Sequence, residues 1–129
     1  MQTKEQQRAA FALECVERVF CNSMDKDTAN FVVGVPTMIL TNGLGQTLAF
    51  LLSKQKPGED NKHTKTFKTI KAWLERQGID KLNPDDENLV FLKKFADLKQ
   101  RNYLRAQQEA LAMLQWLKRY VRAFGEGED

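Results

Sequence analysis

Turn-forming residues are scarce in this chain: 7 glycines and 3 prolines among 129 residues. That shortage excludes a many-turned β-sandwich or barrel. Low-complexity tracts and repeats of solenoid length are also missing. Histidine occurs once, as His63, and serine only as Ser23 and Ser53, neither in a G-x-S-x-G setting. There is no H-E-x-x-H, no C-x-x-C and no Cys/His/carboxylate cluster with metal-ligand spacing. A dispersed Ser–His–Asp set stays open on sequence alone, because its members can lie far apart. Asp85, Asp86 and Glu87 read as complements of a helix dipole rather than as metal ligands. The expectation is a chain without catalytic residues, metal, cofactor or small-molecule substrate.

Cysteine is nearly absent as well. Cys15 and Cys21 lie six residues apart on one predicted helix, so their side chains point about 240° apart and cannot bridge. Both are expected to be buried small hydrophobes in a reducing, cytoplasmic setting. The opening MQTKEQQRAA shows no basic-then-apolar signal pattern.

What remains is an alphabet rich in Lys, Glu, Gln, Ala and Leu, with 42% apolar and 29% charged residues. It predicts a single compact all-α domain over residues 1–129, of about five or six helices. A first helix from Lys4 to about Asn22 opens with a Thr3/Gln6 capping box and turns Ala9, Ala12, Leu13, Val16, Val19 and Phe20 inward. From Thr28 to Ser53 no residue is charged. Pro36 and the polar run Thr41-Asn42-Gly43-Leu44-Gly45-Gln46-Thr47 argue against a bilayer span and for a central core helix, kinked or broken near Pro36. Gly43 and Gly45 each cost a helix about 1 kcal/mol relative to Ala. Close approach of another element explains them better than a phosphate-cradling turn, which would want a third glycine and a βαβ context.

Lys54–Asn61 reads as a loop around Pro57-Gly58. The next helix runs from Asn61 toward Gly78, with Phe67, Ile70, Trp73 and Leu74 inward and Lys62, Lys65, Lys68 and Lys71 as a basic ridge. Asn83-Pro84-Asp85-Asp86 predicts a helix start with Leu89, Leu92 and Phe95 on its inner face. Asp97 and Gln100 suggest a stop near Ala96 and a restart. The last helix would bury Leu104, Leu111, Leu114, Leu117, Val121 and Phe124 and end at Gly125, leaving residues 125–129 as a flexible acidic tail.

Net charge is only +3, but it is concentrated. Residues 54–71 carry 6 basic and 2 acidic groups, and residues 93–122 carry 8 and 2. Such blocks suit a polyanion; they equally suit solvated helix faces, and Lys118, Arg119 and Arg122 complement a helix C-terminus. Arg101 and Arg105 share a helix face, and Lys54 and Lys56 would join them if the helices fold back. Contacts of this kind go to a nucleic-acid backbone and read no bases. The alternative function is a free-standing helical protein–protein adaptor.

The run Pro36–Phe50 (PTMILTNGLGQTLAF), ending at Ser53-Lys54, occurs with Tyr103-Leu104-Arg105-Ala106, Glu109-Ala110-Leu111 and Trp116-Leu117-Lys118-Arg119-Tyr120. This pairing resembles the small α-helical subunit of the type III-B CRISPR effector, the Cmr complex. The resemblance implies a non-catalytic subunit for antiviral defence. Copies of it would stack beside the backbone subunits and help line the groove that holds guide-paired target RNA. It carries over Lys54, Arg119 and Arg105, which lie in or end the matching motifs; Lys118, Arg101 and Lys56 rest on charge alone. Implied partners are other Cmr-type subunits, further copies of the chain and the guide RNA/target RNA duplex, with no membrane.

Overall fold

A computed structural model describes residues 1–21 and 24–125. The break expected at Asn22 and Ser23, and the acidic tail after Gly125, lie outside those residues. The described chain is all-helical: α1 (Lys4–Arg18), α2 (Lys26–Asn42), α3 (Leu44–Ser53), α4 (Lys62–Glu75), α5 (Asn88–Ala96) and α6 (Gln100–Phe124). None of these helices is long and apolar enough to cross a membrane.

The long α6 is the axis of the domain, packing mainly against α1, α2 and α4. Its buried face consists of Ala106, Ala110, Met113, Leu114, Leu117 and Val121. Helix α2 runs antiparallel to it: Gly43 meets Tyr103 at one end, and Met24 meets Gly125 at the other. Helix α4 also runs antiparallel to α6, since Lys62 pairs with Asp27 near the start of α2 while Gln77 receives Arg105 from the start of α6.

Two of the helix starts, those of α1 and α4, form where the sequence predicts them. Thr3 accepts from the Gln6 N–H at 3.1 Å, and the Gln6 side chain accepts from the Thr3 N–H at 2.8 Å. Asn61 accepts from the Thr64 N–H at 3.0 Å, and Phe67, Ile70, Trp73 and Leu74 of α4 are all buried. Helix α1 ends at Arg18, earlier than Asn22.

Other expectations are corrected. Of the kink or break expected near Pro36, the break is what the structure moves: α2 continues through the buried Pro36 and breaks at Gly43, whose φ is +85°. A proline removes one bond from the ladder, whereas a residue at that φ cannot continue a right-handed helix. Asn83-Pro84 does not open α5. Asp85 adopts φ +68°, Ile79 and Leu82 anchor the preceding stretch in the core, and α5 starts only at Asn88 with Glu87 as its N-cap. The shifted start buries Phe91 and Phe95, leaves Leu92 half-buried and exposes Leu89. Asp97 closes α5 and pairs with Lys81 at 2.8 Å instead of capping α6, whose N-cap is Lys99. Leu13, Leu104 and Phe124 are exposed, and Phe11 and Cys15 take the inner face of α1. Cys15 is buried, but Cys21 is exposed; both are free thiols.

Candidate nucleic-acid interface

At about 100° per residue, Arg101, Arg105, Gln108, Gln115, Arg119 and Arg122 lie within about 60° of one line along α6. All are exposed, and the line runs opposite the buried face. At 1.5 Å per residue it is about 32 Å long. The helix has one carboxylate, Glu109, and that group is turned away and engaged. Glu109 accepts from Arg8 Nε at 3.1 Å, from Arg8 Nη2 at 2.7 Å and from Trp73 Nε1 at 3.2 Å. Burial pushes its carboxyl up, but the Arg8 bond and the charges of Arg8 and Lys4 outweigh that and hold it low. The exposed stripe is therefore basic without internal neutralisation, which is the form a phosphate backbone would meet.

Arg105 donates to the Gln77 carbonyl at 2.7 Å, so it also ties the end of α4 to α6. Arg101 and Leu104 flank it on the same surface. Lys118 lies half-buried at the edge of the stripe. About 27 Å separate Arg101 from Arg119, so these cations suit an extended polyanion rather than a single phosphate.

Lys54 and Lys56 sit at the end of the bundle where α6 finishes, close to the start of α2. They share an open hollow with Asp25, Asp27, Glu59 and Asp60, a setting of mixed charge. Lys54 Nζ lies over the Phe50 ring, 5.5 Å from its centroid. His63 stands between the rings of Phe31 and Phe50, with centroids 4.5 and 5.6 Å away. Burial first, then Lys62 and Lys54, lowers its pKa. The basic ridge of α4 is largely neutralised: Lys62 pairs with Asp27 at 2.6 Å, Lys68 with Asp60 at 3.0 Å and Lys71 with Glu75 at 3.2 Å.

The two distinctive sequence runs turn out to touch. Gly45 N–H donates to Tyr103 Oη at 3.0 Å, and Leu44 N–H donates to Gln107 Oε1 at 2.9 Å. A Cβ on Gly43 would lie 3.3 Å from Tyr103 Oη and one on Gly45 3.4 Å, so Tyr103 packs against both, while Gly43 is required in the first place by its φ of +85°. Sequence reasoning does not single out Gln107 or Glu109 as individual residues. The visible signal for Glu109 is its isolation as the one acid on α6.

Among the described residues, no group of His, Cys, Asp or Glu gathers in a form that would hold a metal. A family model described as CRISPR-associated protein (Cas_Cmr5) matches residues 4–124, from the first helix to the last. With the two halves of the distinctive motif meeting at the α2–α3 corner and the match spanning the whole described bundle, the chain belongs to the CRISPR-associated Cas_Cmr5 family of small Cmr-complex subunits.

Proposed function

We propose that this chain is the non-catalytic small subunit of a cytoplasmic type III-B effector, holding guide-paired target RNA by its phosphates while copies stack beside the backbone subunits. The observation that carries this reading is the exposed α6 stripe, where Arg101, Arg105, Arg119 and Arg122 run opposite the buried face while the helix's one carboxylate, Glu109, is committed to Arg8. Lys118 extends the charge at one edge; Lys54 and Lys56, at the end of the bundle, would contribute from a setting of mixed charge. Contacts of this type position a strand and release counterions without reading sequence.

The test is target-RNA binding by the reconstituted complex as a function of salt. Arg101→Glu with Arg119→Glu should weaken binding and reduce the log–log salt slope by about 1 for each phosphate no longer neutralised. Circular dichroism should stay unchanged, since neither arginine has a partner among the described residues. Arg105→Glu is less clean, because it also removes the bond to Gln77. An unaltered affinity and an identical salt slope would reject the RNA reading and leave the protein–protein adaptor.

A further inference from the structure

We propose that the shallow hollow at the start of α6 seats a ribose of the bound RNA strand, with the adjoining phosphates on Arg101 and Arg105. The proposal rests on the RNA reading and adds to it a contact with the sugar, which phosphate pairing alone does not supply. The hollow has a volume of about 430 Å³ and is lined by Gln100, Arg101, Leu104, Arg105 and Gln108. Two parallel rows make it up. Gln100, Leu104 and Gln108 follow one another at i, i+4 and i+8, so they form one line along the helix: amide, apolar group, amide. Arg101 and Arg105 form the neighbouring line, with a rise between them of about 6 Å, on the order of one nucleotide step.

Leu104, which the helical spacing predicts to lie inside, is instead 48% exposed. A single exposed leucine is ordinary on a protein surface; this one stands between two uncharged amides and beside two cations. No carboxylate lines the hollow, whereas those between α1 and α4, at the start of α2 and beside Phe124 all contain acidic groups. The acids closest in sequence, Asp97 and Glu109, are committed to Lys81 and Arg8. Arg105 gives one nitrogen to the Gln77 carbonyl at 2.7 Å, which fixes its direction and leaves its other N–H donors for a phosphate. Leucine covers the apolar face of a sugar ring, and a glutamine amide both donates and accepts, as a 2′-hydroxyl requires. The hollow continues the α6 stripe, which favours a nucleic-acid strand over an acidic peptide.

The experiment measures target-RNA binding by the reconstituted complex across a range of salt concentrations. Leu104→Ala should weaken binding about three- to tenfold at every concentration and leave the log–log slope unchanged, because no phosphate contact is lost. Gln100→Ala with Gln108→Ala should weaken binding of the RNA target by a similar factor, but of a fully 2′-deoxy target by less than about twofold. Circular dichroism should match the parent in both variants, since all three side chains are exposed. Unchanged affinity or a changed slope in Leu104→Ala, or equal losses on both targets in the glutamine variant, overturns the proposal. So does loss of a protein subunit from the complex made with Leu104→Ala, which would place a protein segment in the hollow. Arg101→Glu with Arg119→Glu reports on the RNA reading separately. If its slope stays that of the parent, that reading fails; if the slope falls while Leu104→Ala binds normally, only the ribose site fails.

Discussion

Tyr103 and Gln107 do for the start of α3 what a side-chain cap does for α1, α2 and α4. Their oxygens take the Gly45 and Leu44 N–H groups that Gly43, having no side chain, leaves unserved. Tyr103→Phe removes one acceptor and should cost about 1–2 kcal/mol, read as a lower denaturant midpoint; an unmoved midpoint would mean that water replaces the hydroxyl. The thiols make a second test. Cys21 is exposed, whereas burial pushes the Cys15 thiol up to about 11. One equivalent of thiol reagent should react at once and the second only on unfolding; two fast equivalents would place Cys15 outside the core. Both thiols are free, as the sequence predicts, but the helix-geometry argument for it does not apply, because α1 ends at Arg18 and leaves Cys21 outside the helix. The sequence did not show that Cys21 is exposed, because that too depends on where α1 ends.

Helix α2 contains a glycine that nothing in the fold uses. A Cβ at Gly34 would meet no atom within 4 Å, so Gly34→Ala should stabilise the isolated chain by about 0.5–1 kcal/mol. Gly43→Ala should act in the opposite direction, since φ is +85° and Tyr103 Oη stands 3.3 Å from the new carbon. Thermal melts of the pair check both signs. Local chemistry made α1 and α4 legible: Thr3/Gln6 and Asn61 cap their own helices in any tertiary context. The start of α5 was not legible. Asn83-Pro84 has the composition of a helix start, but burial of Ile79 and Leu82 and the turn at Asp85 decide otherwise. With the register displaced, Phe91 replaces Leu89 in the core.

A charged junction links three helices of the domain, where Arg8 of α1 and Trp73 of α4 both donate to Glu109 of α6. Its carboxyl is held below the ordinary value of 4.5. A depressed folded value means stability that is present above 4.5 and is lost as pH falls through the folded value. The parent protein should therefore lose more stability in acid than Glu109→Gln does. Parallel acid-unfolding curves for the two would show that the junction contributes nothing. The candidate interface was legible in part for a related reason. Arg101, Arg105 and Arg119 fall on one face by helical spacing alone, and α6 is one unbroken helix. The surroundings of Lys54 and Lys56 were not legible, because Asp25 and Asp27 join them only through the packing of α2 against the loop.

The clasp between Gly45 and Tyr103 joins residues 58 positions apart. During synthesis at about 5–20 residues per second, the corner emerges roughly 3–12 seconds before its clasp exists. For that interval the uncharged stretch from Thr28 to Ser53 is without the helix that fixes its corner. A ribosome stalled before Tyr103 would display that uncharged, largely apolar segment without its lock.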